Sequence, residues 1–190
     1  MNLPNKISLL RLILIPVMVA AFYIEFPYHY LVAGIVFAVA ACTDFLDGFI
    51  ARKYNLVTDL GKFLDSSADK VLTIVALVLL VEVQAIPFIF GGVMVSIVIA
   101  REIMISCLRM IAAAKGVVMA ADKLGKIKTV LQDVSITALF VSFEFFARDY
   151  ANILFLIGFS VFTLSVIMTL VSGVNYVIVN RAVLKSDKKD

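Results

Sequence analysis

The chain has 190 residues, of which 63% are hydrophobic and only 16% are charged, and its mean hydropathy is +1.06. Soluble domains contain about 45–50% apolar and about 25% charged residues, so this composition excludes an ordinary soluble fold and a disordered chain. The two cysteines are too few for a disulfide scaffold. The composition therefore predicts an all-α integral membrane protein.

Long apolar stretches follow one another along the chain, and each is about as long as, or longer than, the roughly 20 residues that a spanning helix needs. We predict six transmembrane helices, over roughly 7–25, 31–51, 64–83, 86–111, 127–147 and 151–179. No cleavable leader is expected, because no small-residue cleavage site follows the first apolar run. We expect residues 1–190 to form a single membrane domain in which the helices surround a polar cavity.

The distribution of basic residues predicts the topology. In a six-span arrangement, 16 of the 17 lysines and arginines fall on the side of the termini, and only Arg148 falls on the other side. Because positive residues are retained in the cytoplasm, both termini and the basic 52–62 and 101–128 regions are predicted to be cytoplasmic. The net charge of +3 suits an anionic lipid surface, and no nucleic-acid-binding motif is present.

The first span contains one charged residue, Arg11, within its apolar run. This side chain could bind a phosphate or an anionic lipid, but we favour snorkelling towards the cytoplasmic interface. Asn5 and Ser8 could cap a short interfacial helix or contact a ligand, and the sequence leaves both interpretations open.

Four aspartates occupy the second and third spans, where ionisable groups are costly and usually functional. One face of the second span carries, at i, i+3, i+4 and i+7, the residues Asp44, Asp47, Gly48 and Ala51. One face of the next helix, which includes the third span, carries Gly61, Asp65, Ala68 and Asp69. The short connection predicts that the two spans are antiparallel neighbours with these faces apposed.

Converging carboxylates repel one another unless a cation lies between them, and an oxygen-only shell favours Mg²⁺ or Mn²⁺ over zinc. His29 lies on the opposite side of the membrane, and Cys42 and Cys107 are expected to be small buried residues. Two alternatives remain, which are buried salt bridges to nearby lysines and arginines and a cation or proton pathway through the membrane.

The segment 44–69 fits the pattern D-x2-D-G-x2-A-R-x8-G-x3-D-x3-D at every fixed position. It resembles the signature of the CDP-alcohol phosphatidyltransferases, and the resemblance extends over most of the chain. Further similar stretches are Asn2–Arg11, Thr43, Ala100–Glu102, Leu108–Arg109 and Gly125–Thr129. One departure is Ser66-Ser67, where family members often have Pro-Leu, so the helix geometry there is expected to differ.

The resemblance implies transfer of a phosphatidyl group from CDP-diacylglycerol to an alcohol, here sn-glycerol 3-phosphate, with release of CMP. It implies Mg²⁺ or Mn²⁺, with two ions expected, as the cofactor. The implied metal ligands are Asp44, Asp47, Asp65 and Asp69, and Asp69 is also the implied catalytic base. The implied donor-binding positions are Thr43, Asp44, Gly48, Arg52 and Gly61.

The acceptor would be a small dianion, so its pocket should contain fixed cations. The candidates are Arg101, Arg109, Lys126 and Lys128. Arg101 and Arg109 are eight residues apart, which is about two helical turns and places them on one face. For any one of these four residues, the usual excess of lysine and arginine in cytoplasmic loops is as good an explanation as acceptor binding. Glu102 is expected to pair with a basic neighbour, and Asp133 in the fifth span needs a partner that the sequence does not identify.

The resemblance also implies a homodimer in a bacterial-type cytoplasmic membrane, with the active site facing the cytoplasm. The main alternative is a different acceptor within the same family, namely phosphatidylglycerol, serine or inositol phosphate. A cation or proton transporter is the alternative from another class. It is disfavoured because the outer halves of the spans carry no matching polar groups.

Overall fold

The computed structural model describes residues 3–53, 59–86, 88–117, 123–145 and 149–181. All regular secondary structure in these ranges is helical, which confirms the predicted all-α fold. The helices are α1 (Leu3–Tyr23), α2 (His29–Lys53), α3 (Asp59–Glu82), α4 (Phe88–Ala114), α5 (Lys123–Glu144) and α6 (Asp149–Val179). Each coincides with one predicted span, and the largest difference in a boundary is five residues, at the start of α3.

Three helices contain stretches that are long and apolar enough to cross a membrane by themselves. These stretches are Asn5–Tyr23, Phe90–Ala113 and Asn152–Val179, and α2 contains a shorter apolar stretch, His29–Thr43. Large apolar side chains such as Phe90, Ile153 and Leu156 are mostly exposed on the surface of the bundle, as expected for groups that contact lipid. These features identify a membrane protein, while the count of six spans stays a prediction.

Local backbone geometry explains where several helices end. Gly116 has φ = 72° and follows the last turn of α4, where the N–H groups of Gly116 and Val117 donate to the carbonyls of Ala113 and Ala112. This pattern is a Schellman motif, in which glycine is favoured because it adopts positive φ without a steric penalty. The connections after α1 and α3 turn at Tyr28 and Gln84, which also have positive φ.

The helices pack so that α3 contacts α1, α2, α4 and α5, while α6 packs most extensively against α5 and also contacts α4. Two glycines permit close helix approach. A Cβ atom at Gly34 of α2 would lie 2.8 Å from the Cβ of Phe140 on α5, and one at Gly158 of α6 would lie 3.2 Å from the Cβ of Ala138. Small residues at such positions let membrane helices approach closely enough for backbone packing.

The end of the bundle where α1 ends and α2 begins is held together by aromatic side chains. Phe22 contacts Tyr30 and Phe140 edge-on, with ring centroids 5.1 and 6.2 Å apart, and Tyr30 contacts Phe143 at 4.9 Å. Glu144 accepts hydrogen bonds from the backbone N–H groups of Tyr30 and Leu31, at 2.9 and 3.4 Å. We call this the aromatic end of the molecule.

Two sequence predictions about burial are wrong. Cys42 and Cys107 are exposed rather than buried, because each lies on the surface of the bundle. Arg11 does not snorkel towards water, since its side chain is fully buried inside the bundle.

Candidate active site

A polar cavity of about 270 Å³ opens at the end of the bundle opposite the aromatic end. It lies between α3, α4, α5 and α6. Its lining residues are Asp65, Ser66, Asp69, Lys70, Arg101, Glu102, Ile105, Ser106, Arg109, Gly125, Lys126, Thr129 and Tyr176. Carboxylates on α3 thus share one cavity with basic side chains on α4 and α5. We call this space the main cavity.

The acidic wall of the main cavity is formed by Asp65 and Asp69, one helical turn apart on α3. The side chain of Asp65 is 42% exposed and open to the cavity. Asp44 and Asp47 belong to α2, which contacts α3, but their side chains lie outside the described part of the chain. Convergence of all four aspartates therefore stays a prediction.

The donor chemistry of the acidic wall fits a hard divalent cation, because carboxylate oxygens are the ligands that Mg²⁺ and Mn²⁺ prefer. Among the described side chains, no group of three or more His, Cys, Asp or Glu residues could hold a metal ion. Asp65 and Asp69 would thus supply part of a ligand shell, and the carboxylates predicted on α2 would supply the remainder.

Arg11 connects three helices beside this wall. Its Nη1 donates to Asp65 Oδ1 at 3.2 Å, and its Nε donates to the carbonyl of Ala40 at 3.2 Å and to Thr43 Oγ1 at 3.4 Å. A fully buried guanidinium needs such partners, since an unpaired buried charge is strongly destabilising. Arg11 therefore holds the Asp65 carboxylate in position relative to α1 and α2.

The predicted donor-binding residues are only partly described. The hydroxyl of Thr43 donates to the carbonyl of Ala40 at 2.6 Å, so it belongs to the Arg11 network. Gly61 lies in the first turns of α3. Gly48 and Arg52 belong to α2, but nothing beyond their backbone is described.

The basic wall contains three of the four predicted acceptor-binding residues, Arg101, Arg109 and Lys126. The eight-residue spacing on α4 therefore does bring both arginines to one cavity. Arg101 Nη1 pairs with Glu102 Oε1 at 2.9 Å, and its Nη2 donates to Ser172 Oγ at 3.0 Å.

Lys128, the fourth predicted acceptor-binding residue, is not part of the lining of the main cavity. Its side chain is almost fully buried, and its Nζ lies 2.7 Å from Glu102 Oε1. Glu102 thus pairs with both Arg101 and Lys128, which confirms that it is a partner for basic neighbours. Lys128 therefore restrains Arg101 indirectly, because both side chains bind the carboxylate of Glu102.

Helix α6 contributes residues that the sequence interpretation missed. Arg109 Nε donates to the hydroxyl of Tyr176 at 3.1 Å, and the guanidinium lies 5.5 Å from the centroid of the tyrosine ring. A Cβ atom at Gly173 would lie 3.2 Å from Cγ of Arg101, so glycine leaves room for the arginine stem. A regular spacing in the most apolar helix could have revealed this face, since its buried polar positions are Ser165, Thr169, Ser172 and Tyr176.

Known proteins are similar to this chain over most of its length. The family model described as CDP-alcohol phosphatidyltransferase matches residues 1–171. A Bacillus subtilis protein named CDP-diacylglycerol–glycerol-3-phosphate 3-phosphatidyltransferase is 38% identical, over 97% of this chain and 98% of its own length. Proteins of the same name from Rickettsia bellii and Salmonella choleraesuis are 34% and 37% identical, over 92% of this chain and 93% and 92% of their own lengths. The chain therefore belongs to the CDP-alcohol phosphatidyltransferase family.

Proposed function

We propose that this protein transfers the phosphatidyl group of CDP-diacylglycerol to sn-glycerol 3-phosphate, producing phosphatidylglycerophosphate and CMP. The observation that carries the proposal is the main cavity, in which Asp65 and Asp69 share one space with Arg101, Arg109 and Lys126. The printed names of the relatives support this choice of donor and acceptor.

The basic wall would bind the phosphate of the acceptor. A phosphate dianion is held best by guanidinium groups that are already oriented, because charge-assisted and bidentate hydrogen bonds are strong and directional. Ser172 orients Arg101, and Tyr176 orients Arg109. Lys126 is exposed at the rim and would add a mobile positive charge. The predicted acceptor role of Lys128 becomes indirect in this arrangement, through its bond to Glu102.

The acidic wall would hold the cofactor, Mg²⁺ or Mn²⁺, with two ions expected. The proposed ligands are Asp44, Asp47, Asp65 and Asp69. When bound, the metal would supply positive charge that neutralises the diphosphate of the donor and the departing CMP. The pairing of Asp65 with Arg11 supports a fixed carboxylate at this wall.

Asp69 is the proposed general base. It would accept the proton of the acceptor's primary hydroxyl while that oxygen forms a bond to the phosphorus of the phosphatidyl group. The bond from this phosphorus to the CMP oxygen breaks in the same displacement, and CMP leaves with the bonding electron pair. Asp69 lines the same cavity as the basic wall, which supports this role because a base must reach the bound hydroxyl.

The donor would approach from the membrane, with its nucleotide near α2. The proposed contacts are Thr43, Asp44, Gly48, Arg52 and Gly61. We propose that the donor enters laterally from the bilayer, and that its acyl chains stay in the lipid while the headgroup reaches the aspartates.

The proposed placement is a bacterial-type cytoplasmic membrane, crossed six times by a single domain of residues 1–190 that forms a homodimer. Both termini and the main cavity would face the cytoplasm, where glycerol 3-phosphate is available. The distribution of the 17 lysines and arginines supports this orientation.

The test is an assay with purified protein, CDP-diacylglycerol, Mg²⁺ or Mn²⁺ and labelled glycerol 3-phosphate. We expect equal amounts of labelled lipid and CMP, and no product in the presence of a chelator. Product with serine, inositol phosphate or phosphatidylglycerol, but none with glycerol 3-phosphate, would refute the proposed acceptor and leave the family unchanged. Metal-independent product would refute the role of the aspartates as metal ligands.

A further inference from the structure

A much smaller cavity lies deeper in the bundle than the main cavity, between α3, α4 and α5. Its volume is about 20 Å³. The two cavities share four lining residues, which are Asp69, Lys70, Glu102 and Thr129. Asp69 therefore contacts both spaces, the main cavity on one side and the small cavity on the other.

Gln132 lines only the small cavity, and its side chain is 1% exposed. In the part of the chain that the structure describes, neither Oε1 nor Nε2 of this side chain has a hydrogen-bond partner. A primary amide can make up to four hydrogen bonds, and burying it without any is costly. Buried polar groups in native proteins are almost always satisfied, by protein or by ordered water.

The size of the small cavity limits what can satisfy Gln132. One water molecule needs a cavity of about 10–15 Å³ measured by a water-sized probe, and two to four polar partners. The volume of about 20 Å³ holds one water. Partners are available in the amide of Gln132, the carboxylate of Asp69 and the hydroxyl of Thr73. The lining also contains the carboxylates of Glu102 and Asp133 and the ammonium groups of Lys70 and Lys128. Among the described side chains, however, no group of three or more His, Cys, Asp or Glu residues could hold a metal ion, so a water fits the small cavity better than a cation.

We propose that Gln132 binds one ordered water in the small cavity, and that this water donates a hydrogen bond to Asp69. Gln132 is then a positioning residue, because it orients the Asp69 carboxylate without touching either substrate. The inference rests on the proposed function for the role of Asp69 as base, but the water site itself does not depend on which alcohol is the acceptor.

The first test compares Gln132→Met with Gln132→Asn. Methionine has nearly the shape of glutamine but neither amide atom, so it removes the ligands of the water while the packing is kept. We expect Gln132→Met to lower kcat about tenfold, the effect of losing one hydrogen bond to a charged group, with both KM values unchanged within about twofold. Gln132→Asn retains the amide and should keep most of the activity.

A purely structural role predicts a different pattern. If Gln132 were simply an unsatisfied amide, methionine would raise the thermal stability and leave kcat unchanged, which would overturn the proposal. Ser142→Ala is the matched control. Ser142 is a buried polar residue of α5 whose hydroxyl donates to the carbonyl of Leu139, and it is not among the described residues that line either cavity. We expect this variant to keep wild-type kcat.

The second test is an experimental structure of the wild-type protein and of Gln132→Met at a resolution that shows ordered waters. We expect one water between Gln132 and Asp69 in the wild type and none in the variant. A direct hydrogen bond between the two side chains, or an empty cavity, would overturn the proposal. If the wild-type protein makes no lipid from glycerol 3-phosphate, the proposed function fails. The structures still test the water site, because they do not depend on the activity assay.

Discussion

The two ends of this helical bundle are stabilised by different physical means. At the aromatic end, Phe22, Phe140 and Phe143 contact one another or Tyr30 through ring edges. At the cavity end, charged side chains pair across helices, as Arg11 does with Asp65. Packing at the aromatic end depends mainly on the volume of the side chains. The cavity end depends on particular charged atoms at particular positions.

The comparison shows how one bundle combines a stable scaffold with a reactive site. Buried ion pairs add little net stability, because removing charges from water costs about as much as their attraction returns. The aromatic end and the apolar core therefore carry the stability, and the cavity end is free to present charges. Substitutions at the two ends should separate activity from stability.

Asp69→Asn should give the largest effect, at the cavity end. The amide keeps the shape of the side chain but cannot accept the proton, so we expect kcat to fall about 10³-fold, within the range attributed to a general base. Thermal unfolding in detergent should change little. Glu82→Gln, the same chemical change at the exposed far end of α3, is the matched control and should keep full activity. Full activity of Asp69→Asn would exclude its role as base.

Phe140→Ala should give the largest loss of stability, at the aromatic end. Phe140 is fully buried against Phe22 and Phe37. We expect a loss of about 2–3 kcal/mol in unfolding free energy, which is less than in a soluble core, because lipid solvates an apolar side chain and mainly the cavity term remains. Chemical denaturation in mixed micelles measures this change.

Phe90→Ala is the control for Phe140→Ala, since Phe90 is 64% exposed on the outer surface of α4. It should leave the unfolding free energy nearly unchanged. The KM for both substrates should be unaffected in the folded fraction of either variant. A change in KM with Phe140→Ala would show that the two ends are not independent.

Arg109→Ala should affect binding more than chemistry. Loss of a charge-assisted bond to the acceptor's phosphate is expected to raise the KM for glycerol 3-phosphate about tenfold to a hundredfold, and to leave the KM for CDP-diacylglycerol nearly unchanged. Arg181→Ala removes the same charge at the same end of the bundle, outside the lining of the main cavity. If both variants behave alike, Arg109 contributes only to the general surplus of positive charge.

Some of this site could be predicted from the sequence because spacing along one helix fixes relative position. Asp65 and Asp69 are four residues apart and Arg101 and Arg109 are eight apart, so each pair shares a face whatever the helix packs against. The six helices could also be predicted, because the length and polarity of an apolar stretch are local properties of the sequence.

Contacts between helices could not be predicted in this way, because they depend on the rotation and depth of each helix. Arg11 was expected to reach the interface, yet α1 turns it inward to Asp65. Lys128 looked equivalent to Lys126, but it is two residues further along α5 and points at Glu102. Tyr176 was missed because nothing in the sequence of α6 indicates that its polar face packs against Arg109 on α4.

Tyr176→Phe should give the smallest effect, and it tests how far α6 assists the cavity end. The variant removes the hydroxyl that accepts from Arg109 Nε but keeps the ring beneath the guanidinium. A single hydrogen bond of this kind contributes about 1 kcal/mol, so the KM for glycerol 3-phosphate should rise about two- to fivefold. In the Arg109→Ala background the same substitution should have no further effect, because the hydroxyl then has no guanidinium to orient. An effect of equal size in both backgrounds, measured as a double-mutant cycle on KM, would mean that Tyr176 contacts the acceptor by itself.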